Sequence, residues 1–502
     1  MIDDRKTLPP IACTEMVAAS VMSRRVSAAT ALSWMVIAVA IIATFNCVLN
    51  NAYVDGSTLH DSTMYETMIW RSGFSLRMAP ALGSESYYRT HISPLLLLPN
   101  ALSYLWPWSR VTFYAVVYAL AWGWMAWVFV RVLRAAGWSE VTAAVGALVA
   151  LCSQALFNGS WEPHMEVIAP APALLALLAW QRRRYEWSLT WLLVVSLLRE
   201  DFALFFGAPI LLLGLTQWWE LRQWAPDVAR ERLRFALGLA VFVLLYTVVA
   251  FAVQKQWFAG LSLLSDLYFD PANPTAHLNA ELLWRRAREI ALYRTGFWLP
   301  LAVLAVAAIW LRSLSLLVGA LVYLPLLLLL YFAKLDLKGE WASYNGFPLL
   351  VALFWPALMA MTSPSQRASM HAVQWVCLAA GLSYLLLVPG VPQRMAQQWW
   401  PRYTPLSPHA YGAFRAEWPA LLQSGGELRV SHGVAARYPY EIAPWYHSTI
   451  VDLPEARWRE LRTLVWFEGD RDQRRVDAVL ATGKFEVRDV AGTKLRIGRR
   501  VD

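Results

Sequence analysis

The sequence predicts an all-α polytopic membrane bundle of about eleven transmembrane segments, followed by a small C-terminal α/β domain outside the membrane. Apolar residues make up 58% of the 502 residues, charged residues only 16%, and the mean hydropathy is +0.40. A soluble globular chain contains roughly 45–50% apolar and about 25% charged residues. The apolar excess must therefore face lipid, which excludes a soluble multidomain enzyme, a disordered scaffold and a disulfide-stapled secreted module.

Apolar stretches close to the length of a membrane span recur along the first 390 residues. A helical span needs about 20 apolar residues. The stretches lie at residues 33–49, 111–130, 141–157, 165–180, 235–253, 296–311, 313–333, 347–361 and 372–389. A further stretch, 188–217, is interrupted by Arg199-Glu200-Asp201, and each half is short for a full span. There we expect two short or tilted helices that meet at a charged corner.

The distribution of arginines sets the expected orientation. With the N-terminus in the cytoplasm, most arginines between the spans fall on the inner side, which is the positive-inside pattern. This pattern accounts for part of the net charge of +9, with a remainder on the outer face, and favours a topological cause of the charge over nucleic-acid binding. We therefore expect a cytoplasmic segment 1–32, a membrane domain 33–390 with a large first outer loop at 50–110, and an extracytoplasmic domain 391–502.

One loop departs from this orientation. Three arginines of the stretch 279–293 fall on the expected outer side. Leu283, Ala287 and Ile290 recur there at helical spacing, which predicts a helix that lies on the outer surface of the membrane.

The tail after residue 390 has a different composition, with frequent charges and short apolar runs. The stretches 427–432 and 463–467 are typical of strands, and 485–497 is typical of a hairpin that turns at Ala491-Gly492. These signals predict the small α/β domain. The spacing of the four cysteines of the chain matches neither a metal site nor a disulfide framework.

The first outer loop is long and polar for a bundle with short connections. Asp55, Asp61, Trp70 and His91 lie in it. Carboxylates and histidines can deprotonate a hydroxyl, and arginines beside them can hold a phosphate. A solvated loop whose charges only confer solubility explains the same composition.

A second group of polar residues lies where one apolar stretch ends and the next begins. Glu162, His164 and Glu166 stand at the expected membrane boundary, where ionisable residues are costly and are usually functional. A helix N-terminus with acidic residues near its dipole is the alternative. The group is compatible with a divalent cation, but its spacing matches no strong metal motif.

The charged corner and a later loop complete the candidates. Arg199, Glu200 and Asp201 form either an anion site for a phosphate or an internal salt bridge that pins the corner. Tyr344 lies in the stretch 334–344, which either closes over the same outer cavity or is an ordinary exposed loop. No phosphate-binding loop, nucleophile elbow or dinucleotide fingerprint occurs in the sequence.

Taken in order, these motifs resemble a bacterial family of predicted membrane proteins, catalogued as domain of unknown function 2079. The fold of that family is similar to the GT-C class of integral-membrane glycosyltransferases. The family has an Asp before an aromatic residue and a Trp soon after the first helix, where this chain has Asp61, Tyr65 and Trp70. Its His-aromatic-Ser-Pro motif is matched by residues 91–94, with Ile92 in the place of the aromatic residue.

Two further motifs carry the resemblance, which extends from residue 30 or so into the tail. The family's acidic-Phe-His-Pro-Glu motif is similar to residues 162–166, where His164 and Glu166 match while Pro163 and Met165 differ. Its basic-Glu-Asp motif is matched by residues 199–201.

The resemblance implies a GT-C-like fold and a reaction. Such enzymes take a sugar from a polyprenyl-phosphate carrier at the outer face of the bacterial inner membrane and invert the anomeric carbon. Asp61 is then the catalytic base, with Asp55 as the alternative, and Arg199 stabilises the leaving phosphate. The other motif residues are implied to bind the substrate: Trp70, His91, Glu162, His164, Glu166, Glu200, Asp201 and Tyr344.

The resemblance also implies the partners. These are membrane lipids and a lipid-linked sugar donor, with no nucleic acid and no certain cofactor, although a divalent cation is left open. Two other functions fit the sequence: a transporter or flippase of a lipid-linked or anionic substrate, and a noncatalytic membrane assembly partner. Transporters often carry inverted repeats and charges near the midplane of several helices, whereas the charges here lie toward one face.

Overall fold

A computed structural model describes residues 12–55, 60–76, 86–154, 164–258, 268–270, 272–334, 346–362, 364–423, 426–437, 449–470 and 472–502. Side chains are described from residue 28 in the first helix and from residue 65 in the second. Most of this part of the chain is helical, and a small sheet forms near the C-terminal end. The mostly helical fold with a small C-terminal sheet is thereby confirmed.

The helices are numbered in chain order. They are α1 (Ala12–Tyr53), α2 (His60–Ile69), α3 (Leu97–Ser103), α4 (Arg110–Ala135), α5 (Glu140–Leu151), α6 (Pro170–Gln181), α7 (Tyr185–Leu198), α8 (Phe202–Leu221), α9 (Pro226–Phe258), α10 (Ala280–Tyr293), α11 (Thr295–Trp310), α12 (Leu314–Leu321), α13 (Leu324–Tyr331), α14 (Leu349–Leu353), α15 (Trp355–Ala360), α16 (Arg367–Gly381), α17 (Ser383–Leu387), α18 (Val391–Trp399), α19 (Leu406–Gln423), α20 (His432–Arg437) and α21 (Gln473–Leu480).

Local sequence signals explain where many of these helices begin. Ser109, Ser139, Asn279 and Ser313 each accept a hydrogen bond from the backbone N–H three residues later, which caps α4, α5, α10 and α12. Prolines occupy the first turn of α6, α9, α13 and α18, where a missing N–H costs no helical hydrogen bond.

Some of the helices are long and apolar enough to cross a membrane. In the described part of the chain there are five such spans, or six if a bent helix pair counts as one span. They are Ala28–Tyr53, Arg110–Ala135, Phe202–Leu221, Pro226–Phe258 and Leu314–Tyr331, and the bent pair is α10 with α11. The span within α9 is the most exposed, with only 28% of its apolar window buried inside the protein.

The prediction of about eleven segments is therefore wrong for the described residues, because several apolar stretches form helices too short to cross. Helices α5 and α6 have 12 residues and α7 has 14. At 1.5 Å per residue they rise about 18–21 Å, well short of the roughly 30 Å of a hydrocarbon core. Every residue of α6 is buried inside the protein. Its hydropathy comes from packing in the protein core, which a sequence window does not separate from burial in lipid.

The helix that the spacing predicts at 279–293 is present as α10. Its axis makes an angle of 83° with α11, the helix that directly follows it. Arg286 of α10 is fully buried, and its Nη1 donates hydrogen bonds to the carbonyl oxygens of Tyr331 (2.8 Å) and Ala333 (2.7 Å) at the end of α13. An arginine thus satisfies the free carbonyls at a helix C-terminus and anchors α10 to the bundle.

Helices α8 and α9 pack against each other closely along a seam of small residues. A Cβ atom at Gly207 would lie 2.6 Å from Val243 Cγ2, and a Cβ atom at Gly214 would lie 2.4 Å from Ala236 Cβ. The two contacts lie seven residues apart on each helix, from 207 to 214 on α8 and from 243 to 236 on α9. This is the spacing of an antiparallel coiled-coil seam. Small residues allow such close approach of membrane helices.

The C-terminal domain contains a four-stranded sheet of β1 (Glu427–Val430), β2 (Leu461–Phe467), β3 (Phe485–Asp489) and β4 (Leu495–Arg500), in the order β1-β2-β4-β3. Strand β1 pairs with β2 in parallel, and the other pairs are antiparallel. Helix α19 packs on one face of the sheet and α21 on the other. The predicted hairpin turn is present, and Gly492 adopts a φ of 77°, which favours glycine.

Asn50, near the end of α1, fixes the linker that leads into this domain. The side chain is 1% exposed. Its Nδ2 donates hydrogen bonds of 2.8 Å to the carbonyl oxygens of Gln398 and Trp400, and its Oδ1 accepts bonds from the backbone N–H of Arg402 (2.8 Å) and Tyr403 (3.2 Å). One amide side chain therefore satisfies four backbone groups of the linker.

We expect Asn50→Leu to lower the free energy of unfolding by about 3 kcal/mol or more, because it leaves several buried backbone groups without a partner. Protease sensitivity of the segment 397–405 in detergent should rise in parallel. Asn51→Leu is the matched control, since Asn51 makes no side-chain hydrogen bond within the described residues. Equal loss of stability in both variants would contradict the role of Asn50.

Candidate functional site

Three of the polar motifs meet at one end of the helix bundle. The corner 199–201 joins α7 to α8, the 3₁₀ turn Met165–Ile168 precedes α6, and the first loop supplies α2 and residues 86–96. We call the side chains gathered here the polar cluster. Its members are Tyr65, Tyr87, His91, His164, Glu166, Arg199, Glu200 and Asp201.

Glu166 lies at the centre of the polar cluster and is 4% exposed. Its Oε1 accepts hydrogen bonds from the hydroxyls of Tyr65 (2.5 Å) and Tyr87 (3.1 Å), and these two hydroxyls are 2.8 Å apart. Its Oε2 accepts a hydrogen bond of 2.7 Å from Arg199 Nη1. Glu166 therefore joins the first-loop helix α2 to the corner between α7 and α8.

Arg199 is held in place by two carboxylates and a ring. Its Nε and Nη2 donate parallel hydrogen bonds of 2.6 and 2.7 Å to the two carboxylate oxygens of Asp201. Its guanidinium carbon lies 4.4 Å from the centroid of the Phe202 ring. With the bond to Glu166, three of its five N–H donors are in use. The internal salt bridge, one of the two alternatives that the sequence left open, is thus present.

The middle residue of the corner, Glu200, faces the first loop. Glu200 Oε1 lies 2.9 Å from His91 Nδ1, and its Oε2 accepts a hydrogen bond of 2.7 Å from the backbone N–H of Ile92. The ring of His91 also packs against Tyr87, with 5.7 Å between ring centroids. Glu200 of the corner therefore orients the His91 ring through Nδ1, and the Tyr87 ring packs against it.

Two further contacts position the elements around the polar cluster. Gln254 Nε2, near the end of α9, donates hydrogen bonds to the carbonyl oxygens of Arg89 (3.2 Å) and Thr90 (2.7 Å). Arg110 Nε, at the start of α4, donates a hydrogen bond of 2.6 Å to Glu66 of α2. Helix α9, which packs closely against α8, thereby also holds the loop that contains His91.

The charges of the polar cluster set its protonation. Burial would raise the pKa of Glu166, but Arg199, His91 and His164 lower it to about 2. Burial and the charge of Glu166 raise the pKa of Tyr65 and of Tyr87 well above the ordinary value. At neutral pH Glu166 is therefore an ionised acceptor and both tyrosines are neutral donors.

The structure brings most of the predicted site residues together, but not all of them. His91, His164, Glu166, Arg199, Glu200 and Asp201 share the polar cluster. Glu162 and Tyr344 lie outside the described residues, as does the side chain of Asp61. The backbone of α2 places residue 61 one helical turn before Tyr65, hence on the same face of the helix.

Asp55 and Trp70 are engaged elsewhere. Arg402 forms a bidentate ion pair with the carboxylate of Asp55, and Lys494 Nζ lies 3.4 Å from the same carboxylate. Asp55 therefore joins α1 to the C-terminal domain. The Trp70 ring packs against Phe113 at 5.8 Å and beneath the guanidinium of Arg71 at 4.5 Å.

Tyr87 and Gln254 are members of this arrangement that the sequence did not identify. Tyr87 lies four residues before His91 in a loop with no regular pattern, and Gln254 lies in an otherwise apolar helix. A polar residue in an apolar span was the available signal for Gln254. Among the described side chains, no group of three or more His, Cys, Asp or Glu has the arrangement of a metal site.

Comparison with known proteins adds no assignment. The chain matches no protein-family model and no curated protein sequence.

We expect Glu166→Ala to lower the free energy of unfolding by about 3–5 kcal/mol, because it leaves a largely buried guanidinium and two buried hydroxyls short of an acceptor. Glu166→Gln keeps an acceptor for the tyrosines and should cost less. Glu231→Ala, which removes an exposed ion pair with Arg183, should cost no more than about 1 kcal/mol. Denaturant unfolding in detergent micelles measures all three, and equal losses for Glu166→Ala and Glu231→Ala would contradict the central role of Glu166.

Proposed function

We propose that the protein is a GT-C-like glycosyltransferase that uses a polyprenyl-phosphate sugar at the outer face of the bacterial inner membrane. One observation carries the proposal. The helix of the first outer loop, α2, is bonded through Tyr65 to Glu166 and from there to Arg199, so motifs from three separate parts of the chain form one polar cluster. A cluster at the end of the bundle suits a reaction between a lipid-borne donor and an acceptor in water.

The proposed orientation follows from the arginines and from the polar cluster. The N-terminus lies in the cytoplasm, and the polar cluster and the domain 391–502 lie on the periplasmic side. Asp55 supports this arrangement, since its ion pairs with Arg402 and Lys494 put the first loop and the C-terminal domain on the same side of the bundle. That domain is then in position to guide an acceptor.

In the proposed reaction Asp61 is the general base. It takes the proton of an acceptor hydroxyl while the hydroxyl oxygen attacks the anomeric carbon of the sugar, and the bond from that carbon to the lipid phosphate breaks. The polyprenyl phosphate leaves with the electron pair, and the configuration of the anomeric carbon inverts. Asp61 fits this role better than Asp55, because Asp55 is already bound by two cations.

The remaining members of the cluster hold the donor. Arg199 is fixed by Glu166 and Asp201 and keeps two N–H donors for a phosphate oxygen, where charge grows in the transition state. Two carboxylates already bind this single guanidinium, so a phosphate needs further positive charge nearby. His91 and His164 are the groups of the cluster that can supply it.

A transporter or flippase is the main competing function. It would place charges near the midplane of several helices. The cluster described above lies instead at helix ends, in the corner, the 3₁₀ turn and the first loop. If vesicles that contain the protein move a lipid-linked sugar across the bilayer without transferring it, the transporter is correct and the proposal fails.

We expect Asp61→Asn to slow sugar transfer by about 100-fold or more, which is the usual contribution of a general base. Asp55→Asn, a matched change in the same loop, should keep transfer within a few-fold while it weakens attachment of the C-terminal domain. The assay follows transfer from a radiolabelled polyprenyl-phosphate sugar by the protein in lipid nanodiscs. Full activity of Asp61→Asn in a preparation that transfers sugar would overturn the assignment.

A further inference from the structure

A cavity of about 360 Å³ lies at the opposite end of the bundle from the polar cluster. Helix α4 starts beside the cluster at Arg110 and ends at this cavity, and α6 follows the turn that holds Glu166 and also ends there. The walls of the cavity are Trp127, Val130, Arg131, Arg134, Ala135 and Arg182. Half of the lining residues are thus arginines, and none is acidic.

These arginines are poorly neutralised. Arg134 Nη1 lies 3.3 Å from Glu140 in an exposed ion pair. Neither Arg131 nor Arg182 pairs with a carboxylate of the described chain. The guanidinium of Arg131 lies instead over the ring of Trp127, 4.9 Å from its centroid.

The like charges around the cavity act on one another. Partial burial, together with the charges of Arg131 and Arg184, lowers the pKa of Arg182. The positive charges around the cavity therefore repel one another in the protein as it stands. A bound anion would relieve this repulsion.

Positive-inside topology alone requires only that arginines lie on the cytoplasmic side. It does not require three of them to converge on one concave site between two helices. Guanidinium groups match phosphate oxygens in pairs, and basic pockets between membrane helices on the cytoplasmic side bind phosphate head groups. The cavity also has room for a phosphate with the group esterified to it, since small-molecule sites begin at about 300 Å³.

We propose that the cavity between the ends of α4 and α6 binds a phosphate ester through Arg131, Arg134 and Arg182. The ester is either the head group of an anionic phospholipid or a soluble phosphate compound. Trp127 at the same site suits the membrane–water interface, where indole rings are enriched. This site is separate from the polar cluster and does not depend on the proposed transferase reaction.

The test uses the full chain purified in detergent and compares the wild type with Arg131→Gln/Arg182→Gln. Thermal unfolding is followed while dioleoyl phosphatidylglycerol, dioleoyl phosphatidylcholine or glycerol phosphate is added. In the wild type, phosphatidylglycerol or glycerol phosphate should raise the midpoint, and phosphatidylcholine, which is zwitterionic, should not. In the double variant the apparent Kd for the anion that raises the wild-type midpoint should rise about 30-fold. Two arginines at a membrane interface contribute about 1 kcal/mol each, which together corresponds to that factor.

Two further variants separate binding from folding. Arg222→Gln/Arg312→Gln makes the same change of charge on the same side of the protein but outside the cavity, and it should keep the wild-type Kd. Arg131→Lys/Arg182→Lys keeps the charge and should retain part of the binding. Without added anion, Arg131→Gln/Arg182→Gln should unfold no earlier than the wild type, because it removes mutually repelling charges.

The two sources of phosphate give different results. A midpoint raised by phosphatidylglycerol alone identifies a lipid head group, and one raised by glycerol phosphate alone identifies a soluble ester; both support the site. The proposal is overturned if neither anion raises the midpoint, or if the variant in the cavity and the control outside it lose the same amount of binding.

Discussion

The largely buried guanidinium of Arg199 is the constraint on which the polar end of the bundle depends. A cation taken out of water costs several kcal/mol unless opposite charges and hydrogen bonds surround it. Asp201 supplies one carboxylate from the same corner, and Glu166 supplies another from the turn before α6. Glu166 has a second oxygen to satisfy, and the hydroxyls of Tyr65 and Tyr87 fill that need. The docking of the first loop on the bundle therefore follows from the neutralisation of one arginine.

The two ends of the bundle differ in how far their charged side chains are neutralised. At the polar cluster, carboxylates outnumber the guanidinium and every described carboxylate has a partner. At the far end, arginines gather around a cavity with little compensation. Helices α4, α6 and α7 run between the two ends, and α8 packs closely against α9. The two ends of the bundle therefore differ in the charge that they present.

Patterns in the sequence predicted the features that depend on residues close together along the chain. The break at Arg199, the amphipathic α10 and the C-terminal hairpin at Gly492 all follow from local charge, periodicity or turn chemistry. The number of spans did not follow, because α6 is apolar for packing inside the protein and not for contact with lipid. The partners of Glu166 were also out of reach, since Tyr65 and Tyr87 lie 101 and 79 residues away along the chain and only the fold brings them together.

The hydrogen bonds of Asn50 to the linker can form only late in synthesis of the chain. Its partners in the linker are 348 to 353 residues further along the chain. At roughly 5–20 residues per second, a ribosome needs about 20–70 seconds to supply them after Asn50 has emerged. During that interval the amide of Asn50, near the C-terminal end of α1, has no linker to bind. The end of the first helix thus gains its last described contacts only after the linker around residue 400 has been made.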